Sequence, residues 1–294
     1  MIATEGSLWA ALATLYVAWG STYLAIRVLV ESVPPVLASG VRFVAAGALL
    51  VLVIAARGGL ARFRVGRREA LSAAGVSALT IAAAFSLLFL GETEVPSGLA
   101  AVLIASVPLW VVILRLLTGA AVPRTTLLAV IAGFAGVAVL ALPGESAAGA
   151  PVTWMLVVVA AAVCEAVGSF IAQRVRLPDD LLVSAALQML FGGVVTVLVA
   201  VAIGELGDVG AVPLDGVLAF LYLVLPGSVL AYTAYVWLLG RAPLSIATTY
   251  AYVNPVVAVF LGWAVLSEEI TATLLVGAVA IVASVALVVR AEGR

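Results

Sequence analysis

Residues 96–114 read PSGLAAVLIASVPLWVVIL, and residues 243–261 read PLSIATTYAYVNPVVAVFL. Pro96 falls on Pro243, Ala100 on Ala247, Pro108 on Pro255 and Leu114 on Leu261, all at a shift of 147 positions. Five long apolar stretches fill residues 8–142 and five more fill 152–290. If each crosses a bilayer once, a repeat with an odd number of spans enters the second time upside down. Inverted repeats that meet near the membrane midplane are the architecture of alternating-access transporters. The echo continues elsewhere. Ala18, Gly20 and Ser21 match Ala166, Gly168 and Ser169, Arg42-Phe43 faces Gln188-Met189, Gly47 faces Gly193, and Phe85 falls on Tyr232.

Composition agrees. Of 294 residues 65% are hydrophobic and only 10% charged, whereas a soluble domain carries roughly a quarter charged residues. A helix needs about 20 apolar residues to cross a hydrocarbon core of ~30 Å. Ten spans are expected at roughly 8–29, 35–56, 70–91, 96–115, 124–142, 152–173, 179–203, 214–240, 244–266 and 270–290. The fold class is therefore an all-α integral membrane protein. Unbroken runs exclude barrel strands, which alternate over about ten residues. Ten helices absorb most of the chain and leave no room for a soluble domain. The division expected is residues 1–145 for spans 1–5 and 146–294 for spans 6–10. No basic residue precedes span 1, so it does not look like a signal peptide and is expected to be retained.

Charge placement orients the bundle. Arg57, Arg62, Arg64, Arg67, Arg68, Arg115, Arg124, Arg174, Arg176, Arg241, Arg290 and Arg294 flank the even gaps and the C-terminus. The alternate gaps hold no arginine but carry Glu31, Glu92, Glu94, Glu145, Glu205, Asp208, Asp215, Glu268 and Glu269. Loops rich in arginine stay in the cytoplasm, so both termini are expected there, in a bacterial inner membrane. Histidine is absent and Cys164 is the single cysteine, which removes the usual ligands of zinc and iron–sulfur sites and any histidine proton relay. No phosphate loop and no aspartate-rich metal motif appears. A cofactor, a metal and nucleic-acid binding are not expected, and neither is enzyme activity.

A few residues in the spans could carry chemistry. Arg42 lies about seven residues inside span 2, where a charge marks a hydrated or protein-lined interior. It could anchor a substrate carboxylate or tie helix ends through backbone carbonyls. Arg27, one turn from Glu31, reads as an interfacial ion pair. Glu165 is the one carboxylate deep in a span, and is either a proton-coupling group or a glutamate facing a wet vestibule. Ser228, Tyr232 and Tyr235 share one face of span 8. In span 9 Thr248, Tyr252 and Pro255 share another, and Tyr250 precedes Asn254 by one turn. Such groups line pockets for small solutes, or hydrogen-bond between helices for about a kcal/mol. The expected substrate-binding set is Trp19, Tyr23, Arg42, Phe85, Trp110, Gln188, Tyr232, Tyr235, Tyr252 and Asn254. Pro108 and Pro255 sit mid-span and each removes a helical hydrogen bond, which marks them as hinges.

Several motifs together resemble EamA-type permeases of the drug/metabolite transporter superfamily. They are Ala18-Trp19-Gly20-Ser21-Thr22-Tyr23, Gly40-Val41-Arg42-Phe43, Val95-Pro96-Ser97-Gly98-Leu99-Ala100 and Ala251-Tyr252-Val253-Asn254-Pro255-Val256-Val257-Ala258. The resemblance runs from Leu8 to Val289. It implies ten helices in two inverted five-helix halves around a central cavity lined by spans 1–4 and 6–9. Spans 5 and 10 would be peripheral, in a monomer or a homodimer. Activities in that family centre on export of amino acids, other metabolites and toxic compounds. Relatives commonly carry tryptophan where this chain has Glu165. The function expected is secondary transport of small metabolites, amino acids or related compounds with drugs as a further class, outward through the inner membrane. A gated channel and a membrane-embedded transferase are the alternatives.

Overall fold

The computed structural model describes residues 5–140, 149–239, 241 and 249–292. Pro243, Ala247, Thr248, Glu145, Arg294 and the division at 145/146 lie outside the described residues, as does the side chain of Arg290. Among the described residues there is no strand. Eight helices of 18–25 residues are long and apolar enough to cross a membrane, and two of 17 residues, Arg124–Leu140 and Tyr250–Leu266, complete the ten.

Span 1 consists of α1 (Glu5–Gly20) and α2 (Thr22–Val30), span 2 of α3 (Pro35–Gly58), and span 3 of α4 (Arg67–Ser77) and α5 (Ala84–Gly91). Span 4 consists of α6 (Ser97–Ile104) and α7 (Val107–Leu117), and span 5 of α8 (Arg124–Leu140). Span 6 is α9 (Val152–Ala172), span 7 α10 (Leu181–Ala202), span 8 α11 (Leu214–Val224) and α12 (Ala231–Leu239), span 9 α13 (Tyr250–Leu266) and span 10 α14 (Ala272–Glu292).

The interrupted spans are interrupted in register. A π-helical turn covers Ala78–Ala83 in span 3 and another covers Leu225–Leu230 in span 8, again 147 positions apart. Their causes differ. Pro226 has no N–H to give to the turn behind it. In span 3 the Thr80 hydroxyl bonds the Val76 carbonyl at 3.1 Å, competing with the backbone ladder. Pro108 similarly leaves the Ile104 carbonyl without its helical donor, and span 4 breaks at Ala105–Ser106. Pro255 removes the donor for Ala251, but α13 runs through it unbroken. Only one of the two expected hinges is therefore a break between helices.

Packing follows the repeat. Span 2 lies along span 7, and span 5 along span 10. Span 1 packs on spans 8 and 9, and its counterpart span 6 packs on spans 3 and 4. Lipid is as apolar as leucine, so helices associate through close contact of small residues rather than through burial from water. Gly47 and Gly193 show this across the local two-fold. A Cβ on Gly47 would stand 2.9 Å from Leu190 Cγ, and one on Gly193 2.7 Å from the Val44 backbone N. Leu127, Leu128 and Ile131 of span 5 and Leu275, Val276 and Val279 of span 10 are exposed, as lipid-facing positions should be.

The helix groups built from spans 1, 8 and 9 and from spans 3, 4 and 6 meet unequally along their length. One end of the bundle carries the acidic connections and the other the arginines. At the acidic end α2 packs against α5 and α6, and α13 packs against α6. At the arginine end α1 packs on α12 and α13, while α7 packs on α9, each within its own group. Ile26, Phe89, Val95, Leu99 and Leu103 are completely buried in the acidic-end layer. There the Glu268 carboxylate accepts from Ser97 N at 2.7 Å and Gly98 N at 3.0 Å, capping α6. Glu205 likewise accepts from Val36 N and Leu37 N at the start of α3. Arg27 is not committed to Glu31 as expected. Its Nη1 donates to the carbonyl oxygens of Glu92 and Thr93, tying span 1 to span 3. At the arginine end Arg62 pairs with Asp180 at 2.5 Å and Arg176 with Glu69 at 3.1 Å.

Candidate functional site

A cavity of about 380 Å³ lies where the two helix groups part. Both repeats contribute their irregular backbone to it. Thr80 and Ile81 come from one π turn, Gly227 and Ser228 from the other, and Ile104 and Ala251 are the residues whose carbonyls the two prolines leave without helical donors. A π turn widens the helix and shifts the register of the side chains beyond it, which is why such turns recur at functional sites. The neighbouring helix must then approach closely. A Cβ on Gly168 would come 2.4 Å from Thr80 Cγ2, and one on Gly227 2.9 Å from Thr22 Cγ2.

The lining has two characters. Toward the arginine end Trp19, Tyr232, Tyr235 and Tyr250 form an aromatic cluster within the group of spans 1, 8 and 9. Trp19 stands edge-on to Tyr232 and Tyr250 at 6.0 and 4.8 Å and tilted to Tyr235 at 5.4 Å. Such pairs add about 0.5–1.5 kcal/mol each beyond their burial, so the wall is stiff. Arg42 enters from span 2 and is only 3% exposed. Its guanidinium lies 4.9 Å from the Phe43 ring centre and 5.4 Å from that of Phe85. Nε donates to Ser228 Oγ at 3.3 Å, and among the described residues Nη1 has no partner. On span 6, Glu165 also lines the cavity, and Ser169 Oγ donates to it at 3.4 Å. The Asn254 Oδ1 is buried without a partner among the described residues.

Of the residues expected from the sequence, Trp19, Tyr23, Arg42, Phe85, Glu165, Tyr232, Tyr235, Asn254, Pro108 and Pro255 line this one cavity. Three do not. Trp110 turns away and stands edge-on to Phe134 of span 5 at 4.6 Å. Gln188 donates to Ser184 Oγ within its own helix, and the next residue, Met189, reaches the cavity instead. Tyr252 packs on the main apolar core, while Tyr250 takes the inward face with Asn254. Each miss is one or two residues from a lining position, which is 100–200° around a helix. Thr22, Phe43, Thr80, Ser169 and Tyr250 line the cavity without having been among the expected site residues. The i, i+4 spacing of Tyr250 and Asn254 was the signal available for Tyr250.

This arrangement matches a family. The EamA-like transporter family fits residues 4–142 and fits again at residues 152–290. The chain belongs to the EamA-like transporter family. It is 38% identical over 257 residues to the uncharacterized inner membrane transporter YedA of Escherichia coli K12, covering 87% of this chain and 81% of YedA. It is 29% identical to the protein PecM of Dickeya dadantii, covering 92% of this chain and 88% of PecM. A crystal structure superposes with a TM-score of 0.65 over 97% of this chain and 96% of that one, at 20% identity, which shows the shared fold. The double match agrees with the repeated π turns, so this EamA chain is two inverted five-helix repeats.

Proposed function

We propose that this EamA protein is a secondary transporter that exports small metabolites across a bacterial inner membrane by alternating access. The observation that supports this most is the cavity itself. It lies between helix groups related by the inverted repeat, is roofed at the acidic end, and carries Arg42, Glu165 and an aromatic wall in one volume. A cavity of about 380 Å³ suits a solute of amino-acid or small-drug size at the lower limit of ligand pockets. Arg42 Nη1 and Asn254 Oδ1 offer a buried donor and a buried acceptor without partners among the described residues, and a solute with an anionic group and a donor would satisfy both. The aromatic wall would take its apolar part. The acidic end is assigned to the extracytoplasmic side and both termini to the cytoplasm, from the arginine distribution. The structure is then closed to the outside. Glu165 is the group assigned to proton coupling, because it is a carboxylate in the solute volume with one hydroxyl for company. That YedA is named an inner membrane transporter supports a transporter here and leaves the solute open.

The test pairs two measurements. Metabolites exported by cells with and without the protein identify the solute. Purified protein in liposomes should then show saturable uptake and counterflow of that solute. Flux that neither saturates nor exchanges would make the protein a channel and overturn the carrier reading.

A further inference from the structure

Glu92 is fully buried, and among the described residues neither carboxylate oxygen has a hydrogen-bond partner. It lies just past the end of span 3, in the layer that closes the acidic end. The charged and titratable groups near enough to act on its charge come from several elements. Tyr23 and Arg27 are on span 1, Arg42 is on span 2, and Glu268 is on the turn after span 9. At the preceding residue, Gly91, span 6 brings Val158 and the Trp154 backbone, which carry no charge. Glu31 and Glu94 at the same end are exposed.

The two cationic neighbours do not pair with it. Arg27 gives Nη1 to the main-chain oxygens of Glu92 and Thr93, and Arg42 is held between Phe43, Phe85 and Ser228. Glu268, by contrast, accepts from two backbone donors at the start of α6. Gly262 makes room for it, since a Cβ there would fall 2.2 Å from Glu268 Oε2. Burial, together with the neighbouring Glu268 charge, pushes the Glu92 carboxyl well above the ordinary carboxylate range, against the pull of Arg27 and Arg42.

We propose that Glu92 is a proton site that latches the acidic end of the bundle. With that end closed, the side chain is a neutral carboxylic acid. When spans 1, 8 and 9 part from spans 3, 4 and 6 there, water reaches the carboxyl, which releases its proton to that water as a carboxylate. Reclosure requires the proton to return from the same side. The bonds that must break on opening are those that cross between the groups at this end, Arg27 to the Glu92 and Thr93 carbonyls and Glu268 to α6. A proton bound in only one of two conformations shifts their ratio by its differential affinity. Low pH therefore favours the closed form, and the open-to-closed ratio grows by up to about tenfold per pH unit from the pKa of the hydrated carboxyl up to the raised pKa of the closed state, above which it levels off. This site is separate from Glu165, which lies in the solute cavity, and it rests on the alternating-access reading for the opening of that end.

The experiment uses the full chain with Cys164→Ser and spin labels at Glu94→Cys and Ile270→Cys, one on each helix group at the acidic end. In detergent both ends meet a single pH, so the assignment of sides does not enter. The inter-label distance should be short at low pH and lengthen as pH rises. Glu92→Gln, which mimics the protonated acid, should stay short throughout. Infrared spectra at low pH should show a protonated-carboxyl band that Glu92→Gln abolishes and Glu165→Gln retains. A carboxyl band that Glu92→Gln leaves unchanged in intensity, or a distance titration that this variant leaves unchanged, would overturn the proposal. Should Glu92→Gln not fold, Glu92→Asp must move the titration midpoint, and an unmoved midpoint overturns it equally. In vesicles, a response to acid inside instead of outside would overturn the assignment of sides and leave the proton site standing.

Discussion

Arg42 and Glu165 line the same cavity but are held by different partners, and this difference decides what each can do. Arg42 is fixed between two rings and a hydroxyl, with Nη1 unoccupied among the described residues. It is placed to receive an anionic group, its donors set in a planar fork. Glu165 is the group we assign to proton coupling. A carboxyl in a cavity that alternately faces two solutions gains and loses a proton with little else to move, provided that solute and proton compete for it. Glu165→Gln is therefore expected to retain solute binding and equilibrium exchange while losing uphill transport driven by a pH gradient. Liposome assays with and without an imposed gradient check this. Full gradient-driven accumulation by the Gln variant would remove Glu165 from the coupling role. The aromatic wall of Trp19, Tyr232, Tyr235 and Tyr250 belongs to one helix group, that of spans 1, 8 and 9.

At the scale of elements, the π turns are the feature that makes the cavity. The extra residue of each turn widens the helix, and glycine permits the close approach beside it: Gly168 meets Thr80, and Gly227, within the second turn, meets Thr22. Gly168→Ala puts a methyl 2.4 Å from Thr80 Cγ2 and 3.2 Å from the Thr80 backbone N. Overpacking of this kind costs about 1–3 kcal/mol. A lower melting temperature is expected for Gly168→Ala in detergent. Adding Thr80→Ser deletes the nearest methyl and should recover part of the loss. No recovery in the double variant would mean that the backbone contact, not the methyl, sets the spacing of span 6 against the turn. The Ala105–Ser106 break and the unbroken α13 show the other lesson. Proline removes the same hydrogen bond at Pro108 and Pro255, but whether the helix then separates into two depends on what packs around it.

For the whole molecule, closure at one end is built from a few polar contacts set in a dense apolar layer, while the arginine end is bound mainly within each helix group. Exposed ion pairs such as Arg62–Asp180 contribute roughly 0–1 kcal/mol and do not hold the conformation by themselves. The orientation proposed for the bundle has a direct check. Arg64 is exposed on the connection between spans 2 and 3. With Cys164→Ser, a cysteine substituted at Arg64 should resist an impermeant thiol reagent applied to intact cells and react once the membrane is permeabilised. Labelling in intact cells would invert the topology, and with it the side on which Glu92 exchanges its proton.

The sequence by itself determined the number of spans, the repeat and the membrane environment. Each of these is written in local chemistry: runs of about 20 apolar residues, a shift of 147 shared by Pro96 and Pro108, and a segregation of arginine from acid. It also placed Arg42, Glu165 and most of the aromatic lining in one cavity, because deep polar residues in apolar runs need an interior to face. It did not carry helix phase. Trp110, Gln188 and Tyr252 missed the cavity by one or two residues: Trp110 lies beyond the break in span 4, while spans 7 and 9 are continuous there and the face they turn inward is set by the helices packed around them. Nor did it reveal Glu92, which reads as an ordinary loop acid beside Glu94. Only tertiary packing separates the two, by burying one carboxylate in the closed layer and leaving the other exposed.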